Sequence, residues 1–259
     1  MIDTMQETSS LAPASDVLLA PPRHLMAVEL PRAAWGMVEY GLRRYRLTRD
    51  RFGDDRPVLI LPGLINTDRS NVFLRRYLRS VGYRPYGWAL GRNLGQRTIG
   101  PDGNRLIDRI ATIAADTGQP VTLIGISLGG IMARFIAHRR ADLVREVITV
   151  SSPFAGPAHA TNVWRAFELV SGERIESANV RRLAAECAVP LPVPTTAIWS
   201  RSDGLVNGYA CRAPEHQGMR DIEVRSSHVG VQWRAQVLEA IGGVLAGNNA
   251  PLPGDSGTC

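Results

Sequence analysis

The stretch Val121-Thr122-Leu123-Ile124-Gly125-Ile126-Ser127-Leu128-Gly129-Gly130 decides the fold of this chain. It joins an apolar strand over 121–126 to a helix over 128–138 through a serine between glycines, in the pattern G-x-S-x-G. A serine in such a tight turn needs neighbours without side chains two positions away on either side, because strand and helix approach each other there. This context predicts a nucleophile elbow, with Ser127 exposed at the end of a strand.

A glycine-rich turn that binds phosphate is the alternative interpretation of the same stretch. The chain lacks the G-x-G-x-x-G pattern and has no P-loop lysine, because all 30 of its basic residues are arginine. The absence of lysine also excludes Schiff-base enzymes and Ser/Lys dyads, which depend on an amine that guanidinium cannot replace. The elbow is therefore the favoured interpretation.

Strands and helices alternate along most of the chain. Apolar runs predict strands at 57–61, 86–90, 121–126, 144–150, 195–200 and 221–224, and the periodicity predicts helices at 70–81, 106–118, 128–138 and 231–245. This alternation is typical of a mostly parallel sheet with helices on both faces. The fold class is therefore α/β, with one domain expected over residues 23–259.

Two segments fall outside this alternation. Residues 1–22 are polar and rich in proline, and we expect them to be disordered or loosely attached. Residues 154–193 contain two helical patches and several prolines, and they are long for a connection between strands. This second segment is predicted to be an inserted helical cap.

An amphipathic helix is predicted over residues 31–47. Its apolar residues recur at steps of three and four positions, at Trp35, Val38, Leu42 and Tyr45. We expect this stripe to pack on the main domain, with attachment to an anionic membrane surface as the alternative.

Charge and cysteine content limit the possible partners. The net charge is +6, but the arginines are scattered and no nucleic-acid-binding motif accompanies them, so no nucleic-acid partner is expected. Cys187, Cys211 and Cys259 form no C-x-x-C motif, so no metal or cofactor is expected. A disulfide between Cys187 and Cys211 remains an alternative.

The sequence contains neither a signal peptide nor a run of about 18 apolar residues. We therefore expect a cytoplasmic protein that is at most peripheral to a membrane.

A serine hydroxyl needs a histidine base and an acid that fixes the histidine tautomer. After an elbow the chain order is serine, acid, histidine, which leaves His216 and His228 as candidates. His228 follows the strand 221–224, so it is expected at the carboxyl edge of the sheet, where sites in open α/β folds form. His228 is therefore favoured, and His216 is expected to be solvated in a polar loop.

The acid is expected at the end of the preceding strand. Asp203 follows the strand 195–200, whereas Asp221 begins a strand and would lie at the opposite edge of the sheet. A turn aspartate before Gly204 is the alternative role for Asp203. Two N–H donors for an oxyanion are expected from the backbone of Leu128 and of Leu64, which follows the strand 57–61.

These elements resemble the lipase/esterase branch of the α/β-hydrolase superfamily. The residues that carry the resemblance are Leu61-Pro62-Gly63-Leu64, Gly125-Ile126-Ser127-Leu128-Gly129-Gly130, Ser151-Ser152-Pro153-Phe154, Ser202-Asp203-Gly204 and Ser227-His228, over about residues 55–246. Many members carry His-Gly where this chain has Pro62-Gly63, so any hydrogen bond from that histidine is absent.

The resemblance implies an α/β-hydrolase fold in which Ser127 is the nucleophile, Asp203 the acid and His228 the base. It also implies that residues 154–193 form a lid over an acyl pocket and that Cys187 is bridged to Cys211. We expect Leu64, Trp88, Phe154, Trp164 and Trp199 among the pocket walls.

The sequence thus predicts a serine hydrolase that cleaves small-molecule or lipid carboxylic esters through an acyl-enzyme. Acyl transfer or thioester cleavage by the same three residues is the first alternative. Members of the family cleave esters, thioesters and amides, and the acceptor that the closed lid admits decides between hydrolysis and acyl transfer. A hydrolase-fold protein that binds a lipid or a partner chain without catalysis is the second. Nothing in the sequence indicates the acyl chain length or the oligomeric state.

Overall fold

A computed structural model describes residues 18–212 and 219–247 of the chain. Within these residues, six strands form one sheet in the order β2-β1-β3-β4-β5-β6, and every neighbouring pair is parallel. The strands are β1 (Pro57–Leu61), β2 (Arg84–Gly87), β3 (Val121–Ile126), β4 (Val144–Val150), β5 (Thr195–Trp199) and β6 (Arg220–Glu223). The predicted parallel sheet is confirmed.

Helices connect these strands and cover the sheet. Those in the described residues are α1 (Arg23–Ala27), α2 (Glu29–Leu47), α3 (Val72–Ser80), α4 (Gln96–Ile99), α5 (Asn104–Thr117), α6 (Leu128–Arg139), α7 (Trp164–Ser171), α8 (Ala178–Ala188) and α9 (Ala235–Leu245). None of them combines the length and hydropathy that crossing a membrane requires.

The core has two layers because successive side chains of a strand point to opposite faces. Every residue of β1 and of β3 is buried, as expected for strands covered on both sides. Ile60 packs in the layer under α3 and α9, whereas its neighbour Leu59 packs in the layer under α5 and α6. The continuous apolar run in the sequence reflects this double coverage.

One strand and one helix differ from their predicted bounds, and each difference has a local cause. The strand expected at 86–90 ends at Gly87, because the N–H groups of Trp88 and Ala89 donate to the Asp68 carboxylate instead of a neighbouring strand. The closing helix begins at Ala235 rather than at 231, because Arg234 has an extended backbone that follows a short turn.

The apolar stripe predicted on residues 31–47 does not pack on the domain, so that expectation was wrong. Trp35, Val38, Leu42 and Tyr45 are 62%, 52%, 77% and 81% exposed. Helix α2 instead packs against α9 through the opposite face, formed by Glu29, Ala33, Gly36, Tyr40 and Leu47. The periodicity misled because small residues allow a closer approach: a Cβ on Gly36 would lie 2.6 Å from Arg234.

Residues 18–22, expected to be loose, are attached to the domain. The side-chain amides of Asn162 and Asn207 donate to the carbonyl oxygens of Pro21 and Leu19, at 3.0 and 2.7 Å. Residues 1–17, the remainder of that predicted segment, lie outside the described residues.

The implied disulfide is not formed. Cys187 and Cys211 are both buried free thiols, and burial raises the pKa of the Cys187 thiol to about 12. Each thiol lies near a separate backbone carbonyl, Ile131 for Cys187 and Asn207 for Cys211. Cys259 lies outside the described residues.

Candidate active site

Ser127 lies in the predicted strained turn between β3 and α6. Its backbone angles are φ 52° and ψ −121°, a conformation that side-chain-bearing residues rarely adopt. A Cβ on Gly125 would lie 2.3 Å from the Gly130 Cα, and one on Gly129 would lie 2.4 Å from the Leu61 carbonyl oxygen. The glycines of the motif are therefore required by close backbone contacts, as the sequence predicted.

The structure brings Ser127, His228 and Asp203 together in one hydrogen-bonded chain. The His228 Nε2 atom lies 3.1 Å from the Ser127 Oγ, and its Nδ1 atom lies 2.8 Å from Asp203 Oδ2. All three residues follow the carboxyl ends of parallel strands, β3, β6 and β5, which meet at one edge of the sheet.

Asp203 is fixed by its own loop as well as by the histidine. Its Oδ1 atom accepts hydrogen bonds from the N–H groups of Leu205 and Val206, at 2.9 and 2.8 Å. The carboxylate is almost completely buried. Such a carboxylate can orient the imidazole and stabilise its protonated form.

Two groups increase the basicity of His228. Burial alone would lower its pKa, but the Asp203 carboxylate and, more weakly, the Glu29 carboxylate raise the pKa above its ordinary value of 6.5. A more basic imidazole is a stronger acceptor for the proton of the serine hydroxyl.

The competing residues lie elsewhere. Asp221 forms an ion pair with Arg212 at 3.0 Å. Two histidines that precede Asp203 in the chain are not part of the site: His24 is exposed on α1, and His159 is exposed and lies 3.8 Å from Glu176. His216, the alternative base, lies outside the described residues.

The loop after β1 (residues 62–66, the β1 loop) lies directly against the serine. A Cβ on Gly63 would lie 3.4 Å from the Ser127 Cβ. Among the described residues, neither the Leu64 N–H nor the Leu128 N–H donates a hydrogen bond. Leu64 and Leu128 line the same cavity as Ser127, so these two N–H groups are the candidate donors for an oxyanion.

Asn93, in the loop that follows β2, holds the β1 loop. Its buried side-chain amide donates to the Pro62 carbonyl oxygen at 2.7 Å. Two backbone hydrogen bonds join Asn93 to the same loop. The Asn93 carbonyl oxygen accepts from the Ile65 N–H at 2.7 Å, and the Asn93 N–H donates to the Asn66 carbonyl oxygen at 2.9 Å.

Glu29 is the functional-site neighbour that the sequence analysis missed. It lies at the first position of α2, is 3% exposed, and accepts hydrogen bonds from the N–H groups of Gly204 and Val229 at 2.8 and 2.7 Å. These two residues follow Asp203 and His228 directly. The only available signal was an acidic residue two positions before the predicted amphipathic helix, and acidic residues are common in the first turn of helices.

Arg32, one turn further along α2, holds the same region. Its guanidinium donates to the Ser202 carbonyl oxygen at 2.5 Å and to the Ser202 hydroxyl at 2.8 Å. Helix α2 is thereby hydrogen-bonded to the loop that follows β5 (residues 200–207, the acid loop) through two side chains.

An apolar cavity of about 200 Å³ opens beside the serine. Most of its wall comes from the segment 154–193 and from α6. Its lining includes Leu64, Leu128, Met132, Phe154, Val163, Trp164, Phe167, Ile175, Val180, Leu183 and Val206. Glu173 also lines it, and burial raises the pKa of that carboxyl.

Two of the expected pocket residues are not part of this cavity. Trp88 is fully buried in the core under α5, where its indole N–H donates to the Gly91 carbonyl oxygen. Trp199 packs beside Tyr209 at a ring-centroid distance of 5.4 Å. The prediction that Trp88 and Trp199 line the pocket was therefore wrong, because both side chains are buried inside the domain. The other three expected residues, Leu64, Phe154 and Trp164, do line the cavity.

No protein-family model and no curated protein sequence matches this chain. Solved structures do match it. A Bacillus licheniformis lipase is 15% identical, with a TM-score of 0.56 over 74% of this chain and 92% of that one. A Paleococcus ferrophilus monoacylglycerol lipase is 15% identical, with a TM-score of 0.52 over 74% of this chain and 96% of that one.

A third match is lipase B from Aspergillus fumigatus, 16% identical, with a TM-score of 0.50 over 77% of this chain. The alignment covers only 59% of that lipase, so this chain spans little more than half its length. At these identities the likeness is one of fold. The chain has the α/β-hydrolase fold, as the sequence predicted.

Proposed function

We propose that the protein is a serine hydrolase of carboxylic esters, with Ser127 as nucleophile, His228 as base and Asp203 as orienting acid. The single observation that carries this proposal is the continuous hydrogen-bonded chain from Asp203 through His228 to Ser127, at 2.8 and 3.1 Å. A serine activated by a histidine whose tautomer is fixed by a carboxylate is the arrangement that acyl transfer requires.

In the first half of the reaction, the Ser127 Oγ attacks the ester carbonyl carbon while His228 Nε2 accepts the hydroxyl proton. The carbonyl oxygen gains the negative charge, and the N–H groups of Leu64 and Leu128 stabilise it. As the carbon–oxygen bond to the alcohol breaks, His228 returns the proton to the leaving oxygen, and an acyl-serine remains.

In the second half, water replaces the alcohol. His228 accepts a proton from the water as its oxygen attacks the acyl carbon, and it then donates that proton to Ser127 Oγ as the acid leaves. Asp203 stays ionised throughout and stabilises the imidazolium that forms in each half.

The cavity favours an apolar acyl group as the substrate part next to Ser127. Its wall is mostly aliphatic and aromatic, and its volume of about 200 Å³ is below the roughly 300–1,000 Å³ of sites for drug-sized ligands. We propose that residues 154–193 act as a lid over this acyl site, since this segment supplies about half of the lining residues.

The test compares the wild-type chain with Ser127→Ala on p-nitrophenyl esters of increasing acyl length and with a fluorophosphonate probe. The proposal expects turnover and covalent labelling in the wild type, and loss of both in Ser127→Ala. Labelling that persists in the variant would remove Ser127 from the role of nucleophile.

Two further readouts separate the alternatives. Product analysis with an added alcohol or thiol distinguishes hydrolysis from acyl transfer, and thioester substrates test thioesterase activity. A wild-type protein that is folded, binds fatty acid, and neither turns over nor labels would support a non-catalytic binding role instead.

A further inference from the structure

Helix α2 has an exposed face that no described part of the chain covers. We define this outer face by the residues Leu30, Trp35, Met37, Val38, Leu42 and Tyr45, each between 46% and 81% exposed. From Leu30 to Tyr45 the face extends over about 22 Å, at 1.5 Å per residue. An apolar patch of this length on one helix is unusual for a surface that faces only water.

The exposed charged residues beside the carboxyl half of α2 are mostly arginines, and one exposed acid, Asp50, follows Arg49. The two acidic residues of α2 lie on its other face, where Glu29 is buried and Glu39 forms ion pairs with Arg43 and Arg234. Arg44, Arg46 and Arg49 are exposed beside the carboxyl half of the helix, and they form no ion pair with any described residue.

We propose that the outer face of α2 binds an anionic phospholipid surface, with the helix lying in the plane of the interface. The apolar side chains would enter the acyl boundary, Trp35 and Tyr45 suit the headgroup level, and the arginines would contact lipid phosphates. A second copy of this region offers one exposed acid, Asp50, against the three arginines, so charge complementarity favours an anionic lipid surface over self-association.

The test measures co-sedimentation of the full chain with vesicles of phosphatidylcholine alone and of phosphatidylcholine mixed with phosphatidylglycerol. We expect stronger binding to the mixed vesicles and weaker binding as salt is raised. Val38→Gln with Leu42→Gln should reduce binding roughly a hundredfold, because each of the two apolar side chains contributes about one factor of ten when it is buried.

Val189→Gln is the matched control, since Val189 is 49% exposed and Val38 is 52% exposed. It should leave vesicle binding unchanged. Replacing Arg44, Arg46 and Arg49 by glutamine should remove only the extra binding to phosphatidylglycerol. Absent wild-type binding, or equal losses in the control, would overturn the proposal, as would a dimer in light scattering that Val38→Gln with Leu42→Gln dissociates.

The inner face of the same helix supports a second, independent inference, which rests on the proposed function. We infer that Glu29 is a positioning residue for catalysis. One carboxylate oxygen holds the acid loop at Gly204, and the other holds Val229 in the loop after β6 (residues 224–230, the base loop). A single side chain thus fixes the separation between the loops that carry Asp203 and His228.

The charged groups that act on His228 are Asp203 from the acid loop and Glu29 from α2. Removing Glu29 therefore has two expected consequences. The loops can shift relative to each other, which lowers kcat, since displacements of about 1 Å can cost roughly 10²-fold. The imidazole also loses one neighbouring negative charge.

Glu29→Ala and Glu29→Gln test this role on a soluble ester. We expect kcat to fall roughly tenfold to a hundredfold in Glu29→Ala, with partial rescue in Glu29→Gln, which keeps one oxygen acceptor. In both variants the acid limb of the kcat/KM profile should move to lower pH. Glu39→Gln, on the same helix but bonded to Arg43 and Arg234, should change neither quantity.

The outcomes separate the two proposals. If Ser127→Ala abolishes turnover but both Glu29 variants keep the wild-type kcat and pH profile, the positioning role is wrong and the proposed function stands. If Glu29→Gln lowers only the melting temperature, Glu29 is a structural residue. If Ser127→Ala retains turnover, the proposed function itself fails.

Discussion

On the serine side of the candidate site, Ser127 is fixed by close backbone contacts at its flanking glycines, whereas on the imidazole side the two loops that carry Asp203 and His228 are tied together by a side chain from a helix that is distant in sequence. Around Ser127, the glycines of the motif contact the backbone of β1 and α6. Around His228 and Asp203, the holding groups are Glu29 and Arg32 of α2, which are 170 to 200 positions away from their partners.

This difference separates two ways of fixing a side chain. A steric constraint in the backbone tolerates almost no substitution, because a Cβ cannot rotate away from the backbone atoms it meets. A hydrogen-bonded constraint between side chain and loop can be weakened by degrees. We therefore expect the serine side to fail by misfolding and the imidazole side to fail by losing activity.

The largest expected effect is on the imidazole side. His228→Gln should lower kcat by roughly 10⁴-fold or more, and Asp203→Asn by roughly 10⁴-fold, because the base is lost or held in the wrong tautomer. Ester turnover checks this, with circular dichroism confirming that the variants fold. Turnover within tenfold of wild type in either variant would contradict the assignment.

The serine side is tested by Gly125→Ala. The added methyl would overlap the Gly130 Cα, at 2.3 Å, so we expect a loss of about 3 kcal/mol in the free energy of unfolding. Gly41→Ala, where nothing lies within 4 Å, should instead stabilise the helix by about 0.5–1 kcal/mol. Urea denaturation measures both, and equal effects would show that the elbow is not sterically constrained.

Chain-length selectivity distinguishes the cavity from the core behind it. Trp164→Ala or Phe167→Ala should shift the preference toward longer acyl chains by roughly tenfold in kcat/KM, because both side chains line the cavity. Trp88→Phe should leave the preference unchanged, because Trp88 is fully buried away from it. A series of p-nitrophenyl esters gives the ratio, and a shifted preference in Trp88→Phe would count against this cavity as the acyl site.

The smallest effect is on pH dependence. Because Asp203 and Glu29 raise the pKa of His228 above 6.5, more than half of the imidazole is protonated at pH 6.5 and cannot act as base. We therefore expect the acid limb of kcat/KM to have its midpoint above pH 6.5. In Asp203→Asn the residual activity should show this midpoint at lower pH, and an unchanged midpoint would mean that another group titrates.

Several features of the site could be predicted from the sequence because they are local. The pattern Gly125-Ile126-Ser127-Leu128-Gly129 directly follows a run of apolar residues. The strand, the turn and the helix are formed by neighbouring residues of this one stretch, so they could be predicted together. Asp203 and His228 could be chosen because each follows a strand, and parallel strands bring their carboxyl ends to one edge. Asp221 was set aside by the same rule.

Other features were beyond sequence reasoning because they depend on which surfaces meet. Periodicity identified the helix of 31–47 but chose the wrong face, since the large apolar side chains lie on the outer face and only the fold shows that the face with Gly36 packs. The sequence pattern does not distinguish a tryptophan that lines a cavity from one that is buried in the core, so Trp88 and Trp199 were assigned to the pocket incorrectly.

The sequence by itself determined the alternation of strands and helices, the strained serine and the order of acid and histidine, because each depends on neighbouring residues and on the common direction of parallel strands. Only the tertiary structure decided that Glu29 ties the acid loop to the base loop and that one apolar face of α2 stays exposed. The physical reason is that burial and long-range hydrogen bonds each need two surfaces that meet in the fold. The sequence of one segment describes only one of these two surfaces.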